Sequence, residues 1–208
     1  MSTLERQSHW ENVYRTKGER GVSWFQEAPT ASLELIRATG VGPDASIIDI
    51  GGGASRLADA LLADGFGSVT VLDVSEKALA TARNRLGPRA ERVIWIVADV
   101  TAWRPAKSYD VWHDRAAFHF LTEPSDRAAY AGCVREAVRP GGHGIIGTFA
   151  PDGPERCSGL PVVRHDGTSI GEMLGPSFRL IESRRHDHGT PDGNVQRFQF
   201  SRFQRQMG

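Results

Sequence analysis

The sequence predicts an α/β protein, a doubly wound and mostly parallel sheet with helices on both faces. Two observations predict this class. Short apolar runs rich in β-branched residues alternate with helical patterns along the chain. The first of these runs contains Asp49 and leads through three glycines, Gly51 to Gly53, into a helix. A strand, a tight glycine turn and a helix bring backbone N–H groups close to a ligand, so we expect a binding site at this turn.

Length and charge exclude several classes of protein. With 208 residues the chain is long enough for a full core, and we expect a single domain over residues 1–208. Its net charge of +0 offers no basic surface for a nucleic-acid backbone, so we expect no nucleic-acid partner. Cys133 and Cys157 are too few for a disulfide framework or a zinc site. No apolar run approaches the ~20 residues of a membrane helix, and residues 1–20 lack the pattern of a signal peptide. We therefore expect a cytoplasmic protein without a membrane partner.

Residues 1–44 form an N-terminal extension that contains several aromatic side chains. A helix is predicted over residues 4–17, where Trp10 and Tyr14 lie on one face. We expect this helix either to cover a sheet edge or to belong to a lid over a bound cofactor. Trp24 favours the lid, because an exposed aromatic side chain in a loop is costly unless it has a purpose.

The central residues, 45–150, alternate strands with helices, which predicts a parallel sheet. The predicted strands span residues 46–50, 68–73, 92–97, 109–113 and 144–149. The predicted helices span residues 30–39, 56–62, 75–86 and 124–138.

The C-terminal part changes character. Residues 151–171 are rich in glycine, proline and charge and predict a long loop, followed by a short helix over 168–174. Strand-like segments over 178–184 and 195–203 predict a hairpin, which would add an antiparallel strand to the sheet.

Four acids stand at predicted strand ends: Asp49, Asp73, Asp99 and Asp114. Because the carboxyl ends of parallel strands share one edge, we expect all four to face one crevice. Asp73 follows Gly51 by 22 residues, the position at which an acid accepts hydrogen bonds from both ribose hydroxyls of an adenosine. Any one of these acids could instead cap a helix.

A dinucleotide site is a competing interpretation of the glycine turn. Its fingerprint needs a third glycine or alanine, and counting from Gly51 or Gly52 that position holds Arg56 or Leu57. Asp49 would also repel a pyrophosphate, whereas it would attract an ammonium group. A nicotinamide-dependent dehydrogenase is therefore disfavoured.

Four segments resemble, in order and spacing, the successive motifs of class I S-adenosylmethionine-dependent methyltransferases: Asp49-Ile50-Gly51-Gly52-Gly53, Leu72-Asp73-Val74-Ser75, Ala98-Asp99-Val100 and Arg139-Pro140-Gly141-Gly142. One departure is Ser55, where the family often has a third spaced glycine. The resemblance implies S-adenosylmethionine as the cofactor. It also implies a Rossmann-like doubly wound sheet of seven strands, with an antiparallel C-terminal edge strand.

The resemblance also implies roles for single residues. Gly51 and Gly53 would pass close to the methionine and ribose, and Asp73 would bind the ribose hydroxyls. Asp99 would meet the adenine amino group, with the backbone of Val100 beside it. The predicted cofactor-binding residues are Trp24, Asp49, Gly51, Gly53, Asp73, Val74, Asp99, Val100 and His113, the last of these near the methionine end.

The predicted catalytic residues, Arg115 and His119, follow the fourth strand. Arg115 could orient an anionic acceptor or stabilise a thiolate, or it could simply pair with Asp114 or Glu123. His119 could be a general base, or a half-buried helix residue. Cys157 is interpreted as incidental.

Two further resemblances concern the methyl acceptor. The Asp114-Arg115-Ala116-Ala117 run and the aromatic extension resemble thiopurine S-methyltransferases, which methylate small thiols. The same extension, with His9-Trp10 and Ser23-Trp24-Phe25, also resembles small lysine methyltransferases that modify a protein partner. We favour a small soft acceptor, because the extension and the loop over residues 151–165 could close over a compact pocket. The alternatives are a protein lysine as acceptor, and a cofactor-binding module without catalysis.

Overall fold

The computed structural model describes residues 1–207. Nine strands are present: β1 Ser46–Ile50, β2 Ser68–Asp73, β3 Val93–Val97, β4 Tyr109–Arg115, β5 Val138–Phe149, β6 Arg156–Cys157, β7 Leu160–Pro161, β8 Phe178–Gly189 and β9 Val195–Arg205. Six α-helices accompany them: α1 Thr3–Lys17, α2 Thr30–Arg37, α3 Leu57–Ala63, α4 Glu76–Leu86, α5 Pro124–Ala137 and α6 Gly167–Leu174. No helix within residues 1–207 is long and apolar enough to cross a membrane.

One seven-stranded sheet holds the molecule together, in the order β3-β2-β1-β4-β5-β9-β8. The pairs among β1 to β5 are all parallel, whereas β9 runs antiparallel to both β5 and β8. This confirms the predicted fold class, and it places the antiparallel strand β9 just inside the edge strand β8. The strand order reverses between β1 and β4, the kind of switch point at which open α/β sheets bind ligands.

Each face of the sheet has its own apolar core. Ile47 of β1 packs with the buried leucines of α3 on one face, in the core that also holds Leu35 and Ile36 of α2. Ile48 and Ile50 alternate with Ile47 and pack against the opposite core, which contains residues of α5 and α6. Burial on both faces explains why β1 is a nearly continuous apolar run.

Strand β5 begins six residues earlier than the sequence predicts. Tyr109 pairs with Val138, but the next registered pair joins Val111 to His143. Residues 139–142 therefore interrupt the regular pairing of β4 with β5, at the position where the sequence predicts a sharp turn. The predicted loop over 151–171 also contains the short β6–β7 pair, and the hairpin strands β8 and β9 are longer than predicted.

Asp114 does not face the crevice, and this corrects the prediction for the four acids. Side chains alternate along β4, so Asp114 points to the side of the sheet that carries Trp112 and α5. Its carboxylate accepts hydrogen bonds from the Tyr130 hydroxyl at 2.8 Å and from the backbone N–H of Ala117 at 2.9 Å. The Tyr130 hydroxyl also accepts a hydrogen bond from Trp112 Nε1 at 2.9 Å. Burial raises the pKa of Asp114 to about 6, and these bonds make the residue a structural centre.

We expect Tyr130→Phe to destabilise the fold, because it removes the hydroxyl that joins Trp112 to Asp114. The free energy of unfolding, measured by urea titration, should fall by about 1–3 kcal/mol. Tyr109→Phe is the matched control, since Tyr109 is a buried tyrosine on β4, the strand that carries Asp114, but its hydroxyl is beside Thr70 and not beside a carboxylate. Equal losses in the two variants would contradict a special role of the Asp114 centre.

Candidate active site

A cleft of about 1060 Å³ lies over the carboxyl ends of β1, β2 and β4. The sequence-predicted residues that line it are Trp24, Asp49, Gly51, Asp73, Val74, Asp99, Val100, His113 and Arg115. Gly53 and His119 are predicted residues that do not belong to the lining among residues 1–207. The lining also contains residues for which the sequence predicts no role, including Arg6 and Ser32.

The glycine turn after β1 has no room for side chains. A Cβ on Gly51, which has φ +62°, would lie 2.5 Å from the Cβ of Ala117. A Cβ on Gly52 would lie 2.5 Å from Oδ2 of Asp49. Gly53 has φ +47°, and a Cβ there would lie 2.9 Å from Oδ2 of Asp73. The turn therefore needs glycine both for its backbone conformation and for the approach of two carboxylates.

Asp73 ends β2 as a buried carboxyl group at the edge of the cleft. Its Oδ1 accepts a hydrogen bond from the backbone N–H of Ser75 at 2.8 Å. Burial raises the pKa of Asp73 to about 7, and the nearby charges of Asp49 and Glu11 act in the same direction. The charged form of this carboxylate is thus under-stabilised until further donors reach it.

Asp49, His113 and Ser32 form a buried chain of hydrogen bonds at the centre of the cleft. Nδ1 of His113 lies 2.7 Å from Oδ1 of Asp49, and Nε2 lies 2.9 Å from the Ser32 hydroxyl. All three side chains are almost fully buried and line the cleft. The chain joins helix α2 of the N-terminal extension to the ends of β1 and β4.

Asp99 is already engaged by residues of helix α1. Its Oδ2 accepts hydrogen bonds from Nε of Arg6 at 2.8 Å and from the Thr3 hydroxyl at 2.9 Å. Its Oδ1 accepts two hydrogen bonds from Thr101, at 3.0 Å from the backbone N–H and at 2.7 Å from the hydroxyl. Arg6 also binds Asp126 at 2.8 Å, which ties α1 to the start of α5. A contact between Asp99 and an adenine amino group stays a prediction, and it would have to share Oδ2 with α1.

Arg115 is a buried cation whose hydrogen bonds are incomplete. Nη1 donates to the Trp24 carbonyl oxygen at 2.9 Å, and the guanidinium lies 5.3 Å from the centre of the Phe198 ring. Within residues 1–207, neither Nε nor Nη2 has a hydrogen-bond partner. Burial lowers the pKa of Arg115 to about 10. The predicted alternative of a pair with Asp114 does not form, since Asp114 points to the other face of the sheet.

His119 is not placed to act as a general base, which corrects the sequence prediction. The ring is fully buried, and its Nδ1 accepts a hydrogen bond from the backbone N–H of Phe149 at 3.3 Å. Burial, together with the neighbouring His165 and Arg115, lowers the pKa of His119 to about 3. A short 3₁₀ turn over residues 118–120 directs the side chain inward between Phe120 and Phe149.

Aromatic side chains from the N-terminal extension roof the cleft. The Trp10 ring packs edge-on against Phe120 at a centroid distance of 4.8 Å and against Trp24 at 5.7 Å. Tyr14 contacts Trp24 at 6.3 Å in the same orientation. The roof therefore joins α1, the loop before α2 and the segment after β4.

Comparison with known proteins indicates what the chain is similar to. A family described as "Methyltransferase domain" matches residues 47–142, the part of the chain that builds the glycine turn and the strand ends around the cleft.

Two curated methyltransferases resemble this chain. Thiocyanate methyltransferase 1 of Arabidopsis thaliana is 32% identical over 126 residues, which cover 59% of this chain and 54% of the relative. The chain thus spans about half the length of that relative. EEF1A lysine methyltransferase 2 of Danio rerio is 27% identical over 160 residues, covering 70% of this chain and 69% of the relative.

Solved structures share the fold of this chain. The 1,6-didemethyltoxoflavin-N1-methyltransferase of Burkholderia thailandensis, with bound 1,6-didemethyltoxoflavin and S-adenosylhomocysteine, superposes with a TM-score of 0.70 at 20% identity. The likeness covers 98% of this chain and 85% of that one.

Arg6 and Ser32 were missed by sequence reasoning, because both reach the cleft from the N-terminal extension across a large sequence distance. Ser32 carried one usable signal: it lies on the helix face that also buries Leu35 and Ile36, where a polar residue needs a partner. The sequence holds no comparable signal for Arg6.

We expect cofactor affinity to depend on the protonation of Asp73. Its raised pKa means that the carboxyl is partly protonated near neutral pH in the free protein. Ribose hydroxyls would donate to the ionised form, so binding should release a proton, and affinity should rise with pH below about 7 and level off above it. Isothermal titration with S-adenosylhomocysteine in two buffers of different ionisation enthalpy measures this proton release.

Asp73→Asn should abolish the proton release and weaken binding by about 1–3 kcal/mol. Glu76→Gln is the control, because Glu76 is an exposed acid on the following helix. Unchanged proton release in Asp73→Asn would assign the titration to another group.

Proposed function

We propose that this protein is a methyltransferase that transfers the methyl group of S-adenosylmethionine to a small, soft nucleophile of the thiol type. The observation that carries the proposal is the unpaired edge of the Arg115 guanidinium, buried at one end of a cleft roofed by aromatic rings. The cofactor-binding residues support the transfer, and the roof and Arg115 support the kind of acceptor.

The acids of the cleft fit the cofactor. S-adenosylmethionine supplies a methyl group on a sulfonium that is already an activated leaving group, together with an ammonium and a ribose diol. Asp73 offers an under-bonded carboxylate for the diol. Asp49 provides negative charge beside the glycine turn, where an ammonium would be stabilised. Removing water from this site strengthens both interactions.

Arg115 favours an anionic acceptor. Its Nε–H and Nη2–H lie on one edge of the guanidinium and form a two-pronged donor. A buried cation without a full set of partners is unfavourable by several kcal/mol. An anion that enters the cleft relieves this cost and is itself stabilised there. A thiol bound beside Arg115 would therefore have a lowered pKa and would be more often the reactive thiolate.

Catalysis then rests on positioning and on the exclusion of water. Trp10, Trp24 and Phe120 pack against one another along the lining of the cleft, and an apolar wall of this kind would help to keep the nucleophile desolvated and close to the methyl carbon. An acceptor that arrives as an anion needs no general base at the moment of transfer. A buried His119 that does not act as a general base is therefore compatible with the proposal.

The same features disfavour a protein lysine as acceptor. A lysine carries a positive charge at neutral pH, and Arg115 would repel it. The plant relative is named for thiocyanate, a small soft anion, and the zebrafish relative is named for a protein lysine. The unpaired guanidinium supports the first kind of acceptor.

The direct test is methyl transfer from radiolabelled S-adenosylmethionine to a panel of acceptors. We expect label on thiocyanate, hydrosulfide or an aromatic thiol, and no label on a lysine-containing elongation factor. Label only on protein would establish the lysine alternative. Binding of S-adenosylhomocysteine without transfer to any acceptor would establish the non-catalytic module.

Arg115→Met should separate acceptor use from cofactor binding. The loss of charged hydrogen bonds should lower kcat/KM for an anionic acceptor by about 10–100-fold, which corresponds to about 1.4–3 kcal/mol. The Kd for S-adenosylhomocysteine should stay within about twofold of the wild-type value, a difference below about 0.5 kcal/mol.

The thermal stability of the unliganded Arg115→Met variant should not fall, since an incompletely paired buried charge is replaced by an apolar side chain. Arg179→Met, which changes an exposed arginine on β8, is the control. Parallel losses of acceptor use, cofactor binding and stability in Arg115→Met would mean that the residue has a structural role.

A further inference from the structure

We propose that Ser32, His113 and Asp49 form a proton relay that ionises acceptors which enter the cleft in protonated form. The inference rests on the proposed function and extends it from anions to neutral thiols. Arg115 stabilises a thiolate electrostatically, but an acceptor with a high pKa must also lose a proton before it can attack. His119 does not provide this base, so another group in the cleft must.

The hydrogen-bond pattern fixes the tautomer of His113. An ionised carboxylate only accepts hydrogen bonds, so Nδ1 of His113 donates to Asp49 across 2.7 Å. Nε2 then carries the lone pair and accepts the hydrogen of the Ser32 hydroxyl across 2.9 Å. The acceptor that remains available in this series of hydrogen bonds is therefore the Ser32 oxygen, whose lone pairs can accept a hydrogen bond from a ligand.

The position of the relay is right for the acceptor. His113 and Arg115 are two residues apart on β4, so their side chains lie on the same face of the sheet. Ser32 lines the cleft together with Trp24, whose carbonyl oxygen accepts a hydrogen bond from Nη1 of Arg115. Ser32 and Arg115 consequently belong to the lining of the same cleft.

Charged and titratable groups surround the relay. Asp49 of β1 is hydrogen-bonded to the His113 ring, and Asp73 of β2 is close enough to Asp49 for the two carboxyl groups to interact. The charge of the ring acts to lower the pKa of Asp114, the next residue along β4, on the opposite face of the sheet. Arg115 on β4 is the opposing cation, with the Tyr14 hydroxyl of α1 and the Cys157 thiol of β6 as further titratable groups near it.

The proposed step moves one proton and no electrons to or from the protein. The acceptor hydrogen passes to the Ser32 oxygen as the hydroxyl hydrogen of Ser32 passes to Nε2 of His113. The bonding pair of the acceptor S–H bond stays on sulfur and gives a thiolate beside Arg115. His113 becomes an imidazolium, which the Asp49 carboxylate stabilises, and it returns the proton to solvent when the products leave.

The test compares two acceptors of similar size in the complete protein. 4-Nitrothiophenol is ionised at neutral pH, whereas benzyl mercaptan is largely protonated. In Ser32→Ala we expect kcat/KM for benzyl mercaptan to fall by about 10²-fold, the scale of general-base catalysis, and that for 4-nitrothiophenol to change by less than about twofold. Thr30→Ala, an exposed hydroxyl of the same helix, is the matched control.

A second readout does not depend on activity. Long-range ¹H–¹⁵N correlation spectra of the unliganded protein report which nitrogen of His113 carries the proton. We expect Nδ1 protonated and Nε2 unprotonated in the wild type, and an Nε2 shift that changes in Ser32→Ala.

The possible outcomes separate the relay from the proposed function. Turnover of neither thiol by the wild type would overturn the proposed function and the relay with it. Turnover of both thiols with equal losses in Ser32→Ala would overturn the relay alone and leave a structural tether of α2. A wild-type His113 protonated at Nε2 would also overturn the relay.

Discussion

The carboxylate of Asp49, buried at the end of β1, is the interaction on which the rest of the site depends. It lies at the switch point of the sheet, between β1 and β4, where the strand order reverses. Its Oδ2 approaches so closely that Gly52 has no room for a side chain, and its Oδ1 fixes the ring of His113. Its charge also raises the pKa of Asp73 and favours the charged form of Arg115. One buried acid thus sets the backbone of the turn and the electrostatics of the cleft.

The cleft as a whole is electrostatically incomplete. Asp73 has a raised pKa and Arg115 a lowered one, in both cases first because burial disfavours the charged form. The two groups lie in one cleft without a hydrogen bond between them in residues 1–207. A cofactor with donors for Asp73 and an anion for Arg115 would restore both charged forms. This need for two ligands of opposite character is a physical reason to interpret the cleft as a two-substrate site.

Local sequence signals predicted the sheet, the glycine turn and three of the four acids well, because each depends on short-range geometry. The error at Asp114 was avoidable. Alternation along β4 places His113 and Arg115 on one face and Asp114 on the other, so the three could not all face the cleft. His119 is different, since its burial depends on the packing of Phe120 and Phe149, which no local pattern reveals. The partners of Asp99 on helix α1 were equally inaccessible, because Thr3 and Arg6 lie more than ninety positions earlier in the chain.

The division of the chain between cofactor and acceptor follows from where these residues lie. The segment shared with the methyltransferase family, residues 47–142, contains Asp49, Asp73 and the glycine turn. The side chains that line the part of the cleft proposed for the acceptor come largely from the N-terminal extension: Trp10, Trp24 and Ser32. Only Arg115 joins the two sets, since its guanidinium is anchored on the Trp24 carbonyl while its backbone belongs to β4. A match to the shared segment therefore bears on the proposed cofactor but is physically uninformative about the acceptor, and relatives named for a thiocyanate and for a protein lysine can share one core.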